Sequence, residues 1–104
     1  MKDVRGVELK DGDLVMKILD GGSSSNGLVY AVMVGDCPYY KKRGYEKAKE
    51  ISKGRSDSNQ LIKFEPTADE LKIRDELLNM LAADKRTNFG FQTAKEIAYK
   101  LLHP

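Results

Sequence analysis

The residues between 39 and 55 combine the two kinds of side chain that bind nucleic acid. Three tyrosines lie among seven lysines and arginines in this stretch, a density that the rest of the chain does not reach. Clustered cations bind phosphates, and aromatic rings stack on unpaired bases. The candidate binding residues are Tyr39, Tyr40, Lys41, Lys42, Arg43, Tyr45, Lys47, Lys49, Lys53 and Arg55.

The same stretch also fits a surface that contacts a protein. Glu46 and Glu50 would neutralise part of its charge, and the tyrosines could pack inward at one edge of the core. The whole chain carries a net charge of only +2, whereas dedicated nucleic-acid-binding domains are often far more basic. A protein partner, contacted through surface loops and this basic segment, is therefore the first expectation. Nucleic acid bound by residues 39–55 is the alternative.

The positive charge is concentrated in the middle of the chain. Residues 1–36 carry four Lys/Arg against six Asp/Glu, a net charge of −2. Residues 37–63 carry eight against three, a net charge of +5, and residues 64–104 carry six against seven, a net charge of −1. An acidic partner would therefore be attracted to the middle segment and not to the chain as a whole.

The other residues capable of chemistry form no motif of an enzyme or a metal site. Cys37 and His103 are the only thiol and imidazole, and nothing in the sequence holds a base near the thiol. The run 11–13, DGD, lacks the further oxygen ligands of a calcium loop. The run 20–27, DGGSSSNG, lacks the Gly-Lys-Ser/Thr ending of a nucleotide-binding loop. We therefore predict a protein that is not an enzyme and has no catalytic residue, metal or cofactor.

Strand patterns dominate the first two thirds of the chain. Residues 10–13 have turn composition, and the run 20–27 ends in Asn-Gly, the strongest short hairpin signal. The segment between 28 and 34 is apolar on both faces, so we expect it to be the most buried strand. The predicted strands cover residues 4–9, 14–19, 28–34 and 61–65.

Residues 45–52 fit two structures. Tyr45, Ala48 and Ile51 recur at three-residue spacing, and Glu46 and Glu50 each precede a lysine by three residues, which favours a short helix. The same residues could instead form an exposed hairpin. The helix is the preferred interpretation.

Two helices are predicted after Pro66. Thr67 and Glu70 have the spacing of a capping box, and an apolar stripe follows, so a helix is expected over residues 68–82. The sequence TAKE at 93–96 repeats the capping pattern and predicts a second helix that ends near residue 102.

These elements predict one α+β domain over residues 1–104: a small bent antiparallel sheet or SH3-like barrel of about four to five strands, followed by two C-terminal helices. Residues 1–65 would be mainly β with a basic insertion at 37–60, and residues 66–104 helical. The single cysteine, the absence of a signal peptide and the shortness of the longest apolar run predict a cytoplasmic location without a membrane partner. The C-terminal helices could also dock on a second copy of the chain.

Residues 3–35 resemble small bacterial and bacteriophage proteins with an SH3-like barrel. The likeness rests on a G-x-x-L-K-x-G-D-x-V opening, matched here by Gly6, Leu9, Lys10, Gly12, Asp13 and Val15. The resemblance implies a phage or mobile-element origin and a small barrel that serves as a binding or adaptor module. It brings no catalytic residues with it.

Overall fold

The structure is a computed structural model that describes residues 1–19, 27–41 and 51–104. These residues form five strands and two helices, with one turn of 3₁₀ helix before the last strand. The elements are β1 (Leu14–Leu19), β2 (Gly27–Val34), β3 (Cys37–Lys41), β4 (Ile51–Lys53), the 3₁₀ turn (Ser58–Gln60), β5 (Leu61–Lys63), α1 (Ala68–Ala82) and α2 (Phe89–Leu102).

The strands form one open antiparallel sheet in the order β4-β3-β2-β1-β5. In its register Leu14 lies opposite Val32, and Val15 lies opposite Lys63. Both helices follow the sheet in sequence and pack on one of its faces. The predicted α+β class, a small antiparallel sheet followed by two C-terminal helices, is confirmed.

A two-residue turn joins β2 to β3. Gly35 and Asp36 both have positive φ angles, +57° and +61°, as a type I′ turn requires. The Gly35 N–H also donates to Asp11 Oδ1 at 2.8 Å, which ties the turn to the segment before β1. The turn leads into β3, a strand that the sequence patterns did not predict.

The preferred helix over residues 45–52 is wrong at its last two residues. Ile51 and Ser52 belong to β4 and pair with Lys41 and Tyr40 of β3. Ile51 is buried among core residues, and this burial outweighs the helical propensity of its neighbours. Residues 45–50 lie outside the described residues, as do residues 20–26 of the predicted loop over 20–27, whose last residue, Gly27, belongs to β2.

Helix α1 begins and ends where the sequence predicts. The Thr67 hydroxyl accepts from the Glu70 N–H at 3.3 Å, and Glu70 Oε1 accepts from the Thr67 N–H at 3.0 Å, which completes the capping box. The other carboxylate oxygen, Glu70 Oε2, accepts a hydrogen bond from the Tyr30 hydroxyl at 2.8 Å. The first turn of α1 is therefore fixed to β2.

Helix α2 begins one turn earlier than predicted. Asn88 is its N-cap, since Asn88 Oδ1 accepts from the Phe91 N–H at 3.1 Å. The capping role predicted for Thr93 is wrong, because the Thr93 hydroxyl lies inside the helix and donates to the Phe89 carbonyl at 3.2 Å. In the described part of the chain no helix is long and apolar enough to cross a membrane.

Both faces of the sheet carry apolar clusters. The larger cluster lies between the sheet and the helices, and the smaller one lies on the opposite face, beneath the N-terminal segment. The helix-side cluster contains Leu14, Val32, Val34, Tyr39, Ile51, Leu77, Leu78, Leu81, Phe91, Ala94 and Ala98. The opposite cluster contains Leu9, Val15, Ala31, Met33 and Leu61. Alternate residues of β1 and β2 thus belong to different cores.

The first predicted strand, over residues 4–9, is wrong. Apart from one isolated bridge between Lys2 and Glu8, this segment is a turn. Asp3 Oδ1 accepts from the backbone N–H groups of Arg5 and Val7, both at 2.9 Å, and Gly6 has a φ of +81°. These two backbone N–H groups therefore donate to the buried Asp3 carboxylate, whereas in a strand they would donate to a neighbouring strand.

Each outer strand is closed by an Asp-X-Arg sequence from a distant part of the chain. We call Asp3 and Arg5 the N-terminal clip and Asp84 and Arg86 the C-terminal clip. Arg5 donates from its guanidinium to the Lys63 carbonyl of β5, and Arg86 donates in the same way to the Ile51 carbonyl of β4. In both clips the aspartate Oδ1 accepts from the arginine backbone N–H at 2.9 Å.

Candidate binding site

Five of the ten predicted binding residues lie in the described part of the chain, and they do not share one surface. Strand alternation directs Tyr39 and Lys41 towards the helices and Tyr40 towards the opposite face. Lys53 and Arg55 are exposed at and after the end of β4. Lys42, Arg43, Tyr45, Lys47 and Lys49 lie outside the described residues, and their role stays a prediction.

Tyr39 is a core residue. It is buried, and its ring makes an edge-on contact with Phe91, with 5.9 Å between centroids. Burial, and secondarily Cys37, raise the pKa of the Tyr39 hydroxyl to about 12, so it is neutral at physiological pH. The ring is therefore part of the packing between β3 and α2 and offers no surface to a partner.

Tyr40 is half-buried beside a lysine that is not among the predicted binding residues. Lys17 Nζ lies 6.0 Å from the centre of the Tyr40 ring and donates to Gln60 Oε1 at 2.9 Å. Burial lowers the pKa of Lys17, while the charge of Asp57 acts in the opposite direction. The alternation of β1 places Lys17 on the same face of the sheet as Val15, opposite the helices. Nothing in the sequence shows that residues 54–60 cover this lysine.

Gly54 permits this close packing. A Cβ atom at this position would lie 2.8 Å from Lys17 Cε and 2.9 Å from Pro38 Cγ. Real Cβ atoms do not approach other atoms so closely, so any larger residue would displace the covering segment. The arrangement of Lys17, Tyr40 and Gly54 therefore has a structural explanation and needs no ligand.

Lys41 lies on the wall of an open groove between the sheet and α1. The groove has a volume of about 670 Å³ and is lined by the first residues of β2, the end of β3 and the middle of α1. Its lining residues are Gly27, Leu28, Val29, Tyr30, Lys41, Ile73, Glu76 and Leu77. We call it the Leu28 groove, because Leu28 is 55% exposed there, the most exposed leucine, isoleucine or methionine of the described chain.

The walls of the Leu28 groove are held in place by polar contacts. The Tyr30 hydroxyl donates to Glu70, so this bond ties β2 to the start of α1 and raises the pKa of Tyr30. The pKa of Glu70 is lowered mainly by the backbone N–H of Thr67 and secondarily by the Tyr30 hydroxyl. Lys41 Nζ and Glu76 Oε1 face each other at 3.9 Å. The groove is therefore preformed, and its apolar residues lie beside one ion pair.

Among the described residues, Cys37 and His103 each contact another side chain, and no cluster of metal ligands occurs. Cys37 Sγ contacts the Ser56 hydroxyl at 3.3 Å, whereas the His103 ring lies against Tyr99 with 4.5 Å between centroids. The thiol and the imidazole are thus each paired with another residue. No group of three or more potential metal ligands occurs in residues 1–19, 27–41 and 51–104.

Comparisons with protein-family models, with curated proteins and with solved structures found no match. The resemblance of residues 3–35 to SH3-like barrel proteins stays a prediction. Function is therefore inferred from the geometry of the surface, since a fold by itself does not identify an activity.

Proposed function

We propose that this protein is a non-enzymatic binding module that holds an apolar side chain of a protein partner in the Leu28 groove. The observation that supports this proposal is the exposure of Leu28 in a preformed groove that also contains Ile73 and Leu77. Concave sites lined mainly by apolar side chains, with a few placed polar groups, are the usual form of binding sites. The phage or mobile-element origin implied by the resemblance belongs to the same proposal.

The closed edges of the sheet favour a groove over strand addition. A partner strand binds a sheet by hydrogen bonding to unpaired backbone groups of an edge strand. Here the Leu61 carbonyl accepts from the Val4 N–H at 2.9 Å, the Lys63 N–H donates to Asp3 at 2.9 Å, and Arg86 occupies the Ile51 carbonyl. A partner strand would have to displace these bonds, so contact through side chains is the better-supported mode.

The charges of the groove suggest the chemistry of the partner. Lys41 and Glu76 are both solvent-accessible, and an exposed ion pair contributes only about 0–1 kcal/mol. Exchanging this pair for contacts with a partner therefore costs little. A peptide with an apolar residue beside an adjacent acidic and basic pair would fill the groove and satisfy both of its charges.

Leu28→Glu tests the proposal by placing a charge at the centre of the groove. Tagged protein and its variant are incubated with nuclease-treated host lysate, and captured proteins are quantified by mass spectrometry at low and high salt. We expect a protein that the parent chain retains at high salt to be lost by Leu28→Glu, because apolar contacts at the centre of an interface dominate its affinity.

Val4→Glu is the matched control. Val4 is 51% exposed, close to the exposure of Leu28, but it lies in the turn beside the edge strand β5, whereas Leu28 lies on the central strand β2. Urea unfolding of both variants checks that neither has lost its fold. If Leu28→Glu captures the same proteins as the parent and as Val4→Glu, the groove is not the contact surface.

Nucleic-acid binding by the basic segment is the second candidate function. Lys53 and Arg55 are exposed, and no carboxylate of the described residues pairs with either side chain. The buried ring of Tyr39 and the half-buried ring of Tyr40 leave these cations without an aromatic partner on β3.

A further inference from the structure

Phe89 is the most exposed large apolar side chain among the described residues. It is the first residue of α2 and is 89% exposed. Phe91, two residues later, is buried, and the Arg86 guanidinium carbon lies 3.8 Å from the centre of its ring. The core therefore needs Phe91 and makes no use of Phe89.

Cations lie near the start of α2, where this ring is exposed. A Cβ atom built at Gly90, the residue after Phe89, would lie 3.3 Å from Lys53 Nζ, so the end of β4 brings its lysine to the start of α2. Lys95 Nζ lies 3.4 Å from the Arg86 carbonyl, and Lys85 is exposed in the linker before the helix. The long-range contact between β4 and α2 thus unites charges that are distant in the sequence.

One carboxylate, Asp84, interacts with these lysines, since the charge of Lys95 adds to the larger effect of the Arg86 hydrogen bonds in lowering the pKa of Asp84. Asp84 is buried and receives hydrogen bonds from Arg86, at 2.8 Å to Oδ1 and 2.6 Å to Oδ2. No carboxylate of the described residues forms an ion pair with Lys53 or Lys85. Glu96 lies on the same side of α2 as Phe89, but two helical turns away.

We propose that Phe89 and the lysines near the start of α2 form a binding surface for single-stranded nucleic acid, in which the ring of Phe89 stacks on an unpaired base. We call this surface the Phe89 patch, made of Lys53, Lys85, Phe89 and Lys95. Phosphates are attracted by the lysines, and a flat base covers an aromatic ring that is otherwise wet. In a duplex the bases are already stacked on each other, so a single strand fits better.

This inference rests on the second candidate function and is independent of the Leu28 groove. The sequence pattern assigns the aromatic contact to tyrosines, two of which lie on β3. The present inference assigns it to Phe89 on α2 instead. Lys53 is the residue that the predicted basic segment and the Phe89 patch have in common.

Fluorescence anisotropy with labelled oligonucleotides tests the patch. The probes are oligo-dT and oligo-U of about 12 nucleotides, a duplex of equal length, and poly-glutamate as a polyanion without bases. We expect the single strands to bind more tightly than the duplex or poly-glutamate. Comparison of oligo-dT with oligo-U shows whether DNA or RNA is preferred.

Phe89→Ala should weaken single-strand binding about tenfold, the effect expected for one stacked base. Lys53→Gln should also weaken it and should reduce the slope of log K against log salt by roughly 0.7, because one lysine fewer neutralises a phosphate. Tyr99→Ala is the matched control for Phe89→Ala, since Tyr99 is 61% exposed at the other end of the same helix. Lys72→Gln, on the exposed side of α1, is the control for Lys53→Gln.

The outcomes separate the patch from the wider function. If oligonucleotides bind, and Lys53→Gln lowers their affinity while Phe89→Ala does not, the Phe89 patch is wrong. The nucleic-acid function survives that result. If poly-glutamate binds as tightly as oligo-dT, the surface recognises charge alone, and the inference is overturned. If no oligonucleotide binds, both the patch and the second candidate function fail.

Discussion

The two clips close opposite edges of one sheet with the same pair of residue types, yet they do so in different ways. In the N-terminal clip Asp3 is the central group: it is buried and accepts from three backbone N–H groups, of Arg5, Val7 and Lys63, all at 2.9 Å. In the C-terminal clip Asp84 accepts from Arg86, through the backbone N–H and two guanidinium nitrogens.

The two arginines differ in how firmly their guanidinium groups are held, and here the C-terminal clip has the more contacts. The Arg5 guanidinium is largely exposed and approaches Asp3 at 3.5 Å. The Arg86 guanidinium is fixed by Asp84 on one side and by the Phe91 ring on the other. One clip therefore organises the backbone through its aspartate, and the other positions a guanidinium against the edge strand.

The comparison shows that an edge strand of a sheet can be covered either by a segment of the chain or by one side chain. An uncovered edge strand is a template for pairing with other chains, and natural proteins block it. β5 is covered by a turn that Asp3 builds, whereas β4 is covered by a single charged side chain. We expect removal of each aspartate to have a different cost.

Asp3→Ala should have the largest effect on stability. It leaves three backbone N–H groups of the N-terminal segment without an acceptor, and it releases the segment that places Leu9 over the smaller core. The urea midpoint of unfolding should fall further than in any other clip variant. Asp3→Asn, which keeps one acceptor oxygen, should recover part of the stability. An equal midpoint for Asp3→Ala and the parent chain would mean that the turn forms without its carboxylate.

Asp84→Ala should have an intermediate effect. It leaves the partly buried Arg86 guanidinium without its carboxylate, and we expect a decrease of about 1–3 kcal/mol in the free energy of unfolding. The value comes from urea unfolding, extrapolated linearly to water. Arg86→Ala should cost a similar amount, and Arg5→Ala only about 0.5 kcal/mol, since Arg5 is exposed. If the two arginine variants are equally destabilised, the clips are equivalent and the comparison fails.

Local patterns in the sequence predict β1, β2 and α1, but they do not predict β3 or β4. β1 follows from the alternation of residues 14–19, and α1 from its capping box and apolar stripe, because both signals lie within a few residues of each other. The start of α2 was missed because two capping patterns compete, and Asn88 is favoured once Phe91 is buried.

The clips and the Phe89 patch could not be predicted, because they depend on contacts between distant residues. Asp3 meets Lys63 across 60 positions, and Arg86 meets Ile51 across 35. The same reason explains why the faces of residues 39 and 40 could not be predicted. A strand with alternating faces buries one tyrosine on the helix side, and composition alone does not show which side is covered.

Acid should produce the smallest effect and should distinguish charge from hydrogen bonding in the N-terminal clip. The backbone hydrogen bond from Lys63 is the main reason that the pKa of Asp3 falls from 3.8 to about 2, against the opposing effect of burial. The unfolded chain therefore binds this proton more readily than the folded chain. The stability that Asp3 contributes is complete above its ordinary pKa and disappears as the pH falls through about 2.

Urea unfolding of the parent chain and of Asp3→Asn, measured from about pH 5 down to about pH 2, checks this expectation. The difference in stability between the two proteins should shrink as the pH falls, because acid converts Asp3 into a neutral group like asparagine. The effect is smaller than that of Asp3→Ala, since a protonated carboxyl still has an oxygen that accepts the backbone N–H groups. If the difference stays constant over this range, Asp3 acts through the geometry of its oxygens and not through its charge. The two clips would then differ in kind, because the Asp84 contact to Arg86 is ionic.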